Sequence, residues 1–228
     1  MSKIAARLSV LVILVSLAMI GHVSANPFDE NNSLKVAASV NDVIELANAS
    51  PKNRDELLKS GVKHSKSPLE VIKLADSAKS KETVNIILNN IYVKGNKIYI
   101  KSTGKSSVIY LEDLISLAES CSNWYVRDSL LKKGIPLTAN IPDYITLARS
   151  CQNKEIADEI LMAGIKKARG PYEFIQLAEK CESLKNHDRI IYAGATSVSN
   201  LSEVTMLVNA AHYPKVKAKI AAIGSSKF

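Results

Sequence analysis

Three cysteines in 228 residues are too few, and odd in number, for a disulfide framework. No CxxC pair, metalloprotease helix motif, serine elbow or dinucleotide fingerprint occurs, so the sequence offers no redox, metallohydrolase, acyl-transfer or nucleotide-cofactor signature. The stretch STGKSS at Ser102 to Ser107 falls short of a phosphate-binding loop because Tyr99 stands where that loop needs glycine. Beyond residue 25 only His64, His187 and His212 remain; His187 and His212 are read as structural histidines, and His64 falls in an inter-unit loop without an evident partner. Beyond residue 25 there is also no apolar run of the roughly 20 residues that a spanning helix needs. No catalytic constellation, cofactor or metal is therefore expected.

What is present begins with a leader. Lys3 and Arg7 precede the uncharged stretch Leu8 to Ile20, a break at Gly21, and Val23-Ser24-Ala25 with small residues two apart. This layout predicts a signal peptide over 1–25, the 13-residue apolar run being short for a membrane anchor. Cleavage would remove two of the 30 basic residues and none of the 22 acidic ones, so the formal charge falls from +8 to +6. A modest excess of positive charge favours anionic partners such as envelope polymers or acidic proteins, and export sets nucleic acid aside.

The cysteines fall at the ends of three related octapeptides, LISLAESC, YITLARSC and FIQLAEKC. With the central leucine as origin, the series runs Leu46, Leu74, Leu117, Leu147, Leu177 and Leu207, a period near 30 residues interrupted once. Four residues before each origin stands an acid: Asp42, Glu70, Asp113, Asp143, Glu173 or Glu203. Three residues before that, Ser39, Ser67, Asn140, Gly170 and Asn200 are N-cap types. A cap followed by an acid three residues on starts a helix, so the six acids read as helix-start devices. A second helix follows with paired aliphatics such as Ile160-Leu161, and Gly61, Gly134, Gly164, Gly194 and Gly224 read as left-handed residues that end it. At the cysteine position the other repeats carry Ser50, Ala78 and Ala211, all small, which predicts a tight helix contact. Stacked helices 8–10 Å apart leave Cys121, Cys151 and Cys181 too distant to pair, so they are expected as buried free thiols.

The second repeat lacks its glycine, with Ile91 in its place, and the next repeat starts late. Residues 92–109 supply the excess, and Val93, Ile98 and Ile100 alternate with polar residues around Gly95-Asn96, which predicts a short β-hairpin. This ribbon carries Tyr92, Tyr99, Lys94, Lys97, Lys101 and Lys105 and no acid, so it is either a site for an anionic ligand or an edge kept soluble by lysine. Trp124, expected in an inter-helix turn, is either an exposed binding anchor or packed under the ribbon. The candidate site is thus Trp124, Tyr92, Tyr99, Lys94, Lys97, Lys101 and Lys105.

Each unit resembles the α-solenoid class, and its second half looks most like an ankyrin unit: Leu147-Ala148, then Ile160-Leu161, then Gly164. The resemblance covers Ser39 to Gly224, without the ankyrin opening TPLH and with links of about five residues between units. It implies an all-α, right-handed α-solenoid of about six helix-turn-helix repeats over 39–228, after a linker at 26–38. The function expected of such a chain is non-enzymatic: an exported binding or scaffold protein, in the periplasm or outside the cell, with a protein or peptide partner. The alternative is a cell-envelope enzyme, inhibitor or immunity-type protein gripping an anionic polymer through the ribbon, and a third is attachment to a membrane surface.

Overall fold

The computed structural model describes residues 39–228, so the signal peptide at 1–25 and the linker at 26–38 lie outside the described residues. The described chain is mostly helical, with twelve α-helices and one small antiparallel sheet. The helices are α1 (Val40–Ala49), α2 (Arg54–Gly61), α3 (Pro68–Asp76), α4 (Lys81–Leu88), α5 (Leu111–Ser120) and α6 (Trp124–Lys133). They continue as α7 (Ile141–Ser150), α8 (Lys154–Gly164), α9 (Pro171–Ala178), α10 (Leu184–Gly194), α11 (Leu201–Ala210) and α12 (Pro214–Lys227). Short 3-10 turns follow α2 at Val62–His64 and α6 at Ile135–Leu137. The sheet, which lies between α4 and α5 in the chain, contains β1 (Ile91–Lys94), β2 (Lys97–Ile100) and β3 (Ser106–Val108). The expected hairpin therefore has a third strand, added because the 101–105 turn brings Ser106–Val108 back alongside β2.

The odd-numbered helices start as the caps require. The side chains of Ser39, Ser67, Asn140 and Asn200 accept the amide three residues on. The acid at that third position reaches back in turn: Asp143 accepts from the Ala139 amide at 2.7 Å and Glu173 from that of Arg169 at 2.6 Å. Each odd-numbered helix packs on the next even-numbered one, and each pair touches the pair that follows it. The core is built on four of the six origin leucines with the aliphatic pairs of the second helices: Leu74, Leu147, Leu177, Leu207, Leu130-Leu131, Ile160-Leu161 and Ile190-Ile191 are all fully buried, whereas Leu46 and Leu117 are partly exposed.

The glycines have a different role from the one expected. Among the described residues only Gly95 and Gly104 are left-handed glycines, at φ of 56° and 67°, whereas Gly61 and Gly134 are right-handed helical and Gly164, Gly194 and Gly224 lie within helices. They are glycine for closeness. A Cβ at Gly61 would stand 2.8 Å from Val43 Cγ1, at Gly194 2.9 Å from Phe174 Cγ, and at Gly224 2.7 Å from Val204 Cγ1. In each pair the glycine thus lies directly beneath the residue three before the origin on its own first helix. At Gly61, Gly134 and Gly164 the next pair's origin leucine closes the other side.

Between pairs the chain uses a bond whose acid recurs with the repeat. Six residues before four of the glycines stands an aspartate: Asp55, Asp128, Asp158 and Asp188. Each carboxylate reaches the turn of the next pair. Asp128 accepts the amides of Gln152 and Asn153 at 2.9 and 2.7 Å, Asp158 those of Glu182 and Ser183 at 2.9 and 3.1 Å, and Asp188 those of His212 and Tyr213 at 2.8 and 2.7 Å. Asp55 takes the Lys79 amide at 3.4 Å and the Ser80 hydroxyl at 2.7 Å. Arg54 and Arg127, each one residue earlier, donate to the Ser77 and Ser150 carbonyls at the end of the next pair's first helix.

These contacts generate two predictions. Gly194→Ala forces its methyl against the Phe174 ring and is expected to destabilise by roughly 1–3 kcal/mol. Gly170→Ser is expected to stabilise by a few tenths of a kcal/mol, because nothing lies within 4 Å of its Cβ and serine supplies a missing cap. Urea denaturation of both variants checks the pair. The second concerns Asp188: burial pulls its carboxyl upward, but the two turn amides and His187 outweigh burial and hold it below the ordinary value. A lowered folded-state value gives stability that is present above the unfolded value of about 3.9 and lost as pH falls through the folded one. Asp188→Asn should therefore cost about 1.5–3 kcal/mol at neutral pH, the worth of hydrogen bonds to a charged acceptor. The gap to the unsubstituted chain should close in acid, as pH-resolved denaturation would show.

Candidate functional site

The first helices bury every third or fourth residue, and the residues between them face out. On α7 and α9 the inward set is Tyr144, Leu147 and Ala148, then Phe174, Leu177 and Ala178. The outward set lines a groove of about 460 Å³ between the two helices, with Pro142, Ile145, Thr146 and Arg149 on one side and Tyr172, Ile175, Gln176, Glu179 and Lys180 on the other. A second groove of about 410 Å³ adjoins it between α9 and α11, lined by Arg169, Gly170, Pro171, Tyr172, Glu173, Glu203 and Met206. Tyr172 belongs to both and is 64% exposed. Gly170 stands at an N-cap position where the other helices carry serine or asparagine, apart from Tyr110 on α5 and Tyr213 on α12, and it lines the second groove. None of these residues was singled out in the sequence as part of a site. The available signal was Tyr172 itself, a tyrosine at a first-turn position that Pro142 and Ser202 fill in the neighbouring repeats.

The ribbon residues are brought together in part. In the β1–β2 register Ile91 pairs with Ile100, Tyr92 with Tyr99, Val93 with Ile98 and Lys94 with Lys97. The period-two alternation puts buried Ile91, Ile98 and Ile100 on the inner face. Tyr92, Tyr99, Lys94 and Lys97 share the outer face, with the two phenol rings stacked at 5.0 Å. Lys101 and Lys105 bracket the turn into β3. β2 packs on α3 and β1 on the 3-10 turn after α6, and the Lys133 ammonium donates to the Ile91 carbonyl at 3.1 Å. Burial, and then the neighbouring Lys101, push the Lys133 pKa down.

Trp124 is not in a turn: it is the first residue of α6, capped by Asn123. At 36% exposure its ring stacks on Tyr125 at 3.6 Å, and the Lys81 ammonium lies 4.9 Å from the Tyr125 ring. Its ring partner is therefore its own neighbour, on the side of α4 and not among the ribbon tyrosines.

The cysteines are free and half-buried at the C-terminal ends of α5, α7 and α9, not deep in a helix contact as expected. Each thiol donates to the carbonyl four residues earlier, Leu117 at 3.4 Å, Leu147 at 3.5 Å and Leu177 at 3.9 Å. Burial first, and then the carboxylates of Asp76, Asp128 and Asp158 respectively, push all three thiols up to about 12. His187 and His212, from successive pairs, also meet, with rings 4.4 Å apart and His187 Nδ1 3.0 Å from Asp188 Oδ1. Among the described residues no group of three or more His, Cys, Asp or Glu side chains is arranged to hold a metal ion, and no helix is long and apolar enough to cross a membrane.

A thiol at about 12 holds roughly a thousandfold less thiolate at neutral pH than a free cysteine. Native chain treated with iodoacetamide at neutral pH is expected to stay unmodified at Cys121, Cys151 and Cys181 on the timescale that labels them in urea. Labelling at the free-thiol rate without denaturant would show the carboxylate neighbourhood to be open. Compared with models of known protein families the chain matches none, and none of the curated proteins compared with it is similar.

Proposed function

We propose that residues 39–228 form a right-handed α-solenoid of six two-helix units, and that the row of first helices binds an extended segment of a protein or peptide partner. The order of contacts supports the fold reading: α2, α4, α6, α8, α10 and α12 touch in succession, as do α5, α7, α9 and α11. The observation that carries the binding reading is the pair of adjoining grooves divided by Tyr172. A ligand in the first groove meets Ile145 and Ile175 at equivalent places on the two helices and charges of both signs, Arg149, Glu179 and Lys180, along its lining. Such a surface fits a chain of mixed polarity, and an exposed tyrosine between two clefts has the form of a binding anchor. The role is that of a non-enzymatic binding or scaffold protein, and the charged start and apolar run before Ala25 support export to the periplasm or the exterior.

A photocrosslinking residue placed at Tyr172 in the native host, with one at exposed Tyr192 on α10 as control, tests this reading. A discrete product is expected from position 172 alone. The partner so captured, once purified, should bind Tyr172→Ala roughly 30-fold or more weakly, the threshold of an anchor residue, and Gly170→Ser should weaken it without unfolding the chain. Equal crosslinking from both positions, or unchanged affinity for Tyr172→Ala, would overturn it.

A further inference from the structure

The outer face of the three-stranded sheet has a composition that neither the packing nor the groove requires. Lys94 and Lys97 stand directly opposite one another across the β1–β2 pair, an arrangement that costs stability because like charges repel. Three lysines elsewhere have a carboxylate in reach, Lys59 pairing with Glu56, Lys132 with Glu159 and Lys154 with Glu182, but most exposed lysines of the described chain do not. What sets this segment apart is the like-charged pair and its lack of any acid. Among the described residues no hydrogen bond or ion pair engages the ammonium groups of Lys94, Lys97, Lys101 or Lys105, and the segment 91–109 contains no acid. Lys101 lies close enough to Lys133 for their charges to repel, so the surplus extends to the base of the sheet. The face is also amphipathic. Val108 pairs with Lys97 and is 57% exposed, and the stacked Tyr92 and Tyr99 form the next same-face row along β1 and β2, beside Lys94 and Lys97.

We infer that this face docks on an anionic phospholipid surface, with Lys94, Lys97, Lys101 and Lys105 against lipid phosphates and Tyr92, Tyr99 and Val108 at the headgroup level. Unpaired positive charge selects an anionic partner. What favours lipid over a soluble polyanion is the apolar component: a polyanion has no use for an exposed valine beside a lysine, whereas the interface accepts phenol rings and an aliphatic side chain among its headgroups. β3 is exposed along its whole length, so nothing in the described chain covers this face. The grooves on α7, α9 and α11 use other residues, so lipid docking stands or falls separately from partner binding.

Sedimentation with phosphatidylcholine vesicles, with and without phosphatidylglycerol, tests the inference on the whole chain lacking its leader. Binding is expected only with the anionic lipid and should decline as salt is raised. Each Lys→Gln change at positions 94, 97, 101 and 105 should lower the partition coefficient about fivefold, from the worth of one lysine near such a surface. Val108→Ser, at an exposed site, should weaken vesicle binding while leaving retention on dextran sulfate unchanged, and Tyr172→Ala should alter neither. Equal binding to vesicles of phosphatidylcholine alone, no binding to either, or undiminished binding by the fourfold lysine variant would overturn the inference. Capture on dextran sulfate with indifference to anionic vesicles would reassign the face to a soluble anionic polymer.

Discussion

A buried carboxylate that spans two helix pairs sets the geometry of everything built on them. Apolar contact between helices is strong but without direction, and it would tolerate a range of offsets between one pair and the next. Two backbone amides aimed at one carboxylate do not. Asp128, Asp158 and Asp188 are nearly inaccessible, and an ion placed there without partners would be heavily penalised. The turn amides take over the role of water and fix the height of each second-helix start against the preceding pair. In the same turns Asn153 and Ser183 use their side chains to cap α8 and α10 while their amides bind the aspartate, so one residue both starts a helix and locates it.

The thiols follow from this bond. Each cysteine ends a first helix beside the aspartate of the preceding pair, so the negative charge that orders the turn also suppresses the thiolate. An odd number of cysteines is then compatible with an oxidising compartment, because the thiol that would attack is scarce. Deeper burial at these positions would crowd the carboxylate, and larger side chains would displace it. Ala78 and Ala211, beside the turns held by Asp55 and Asp188, satisfy the same limit.

Helix starts were legible in the sequence because a cap and an acid three residues apart have a local meaning that packing does not alter. The β1–β2 turn was legible for the same reason, Gly95 having the positive φ that a two-residue hairpin turn requires. The glycines that close the second helices were misread because their position suggests a left-handed terminator, while their cause is a neighbouring helix that only coordinates reveal. The aspartates were visible at a constant six residues before the glycine but unread, since an acid in mid-helix has no local explanation. Trp124 and the grooves were beyond reach for a related reason: whether an exposed ring lines a cleft depends on the spacing of two helices far apart in sequence.

The one irregular junction shows which feature the structure retains when the repeat is broken. Where the ribbon is inserted, Asn85 stands in place of the aspartate, and α3 and α5 have at most slight contact because β2 lies against α3 instead. The second-helix row continues through α4 and α6, and α6 also touches α3. There Asp76, the last residue of α3, supplies the carboxylate, accepting the Ser122 and Asn123 amides at 3.3 and 2.8 Å. The bond is preserved although its acid comes from a different helix. An interaction that moves to a new residue when the chain is interrupted belongs to the junction between pairs and not to the repeat itself. The ribbon can therefore be carried between α4 and α5 without uncoupling the helices on either side, which leaves its outer face free to serve a purpose of its own.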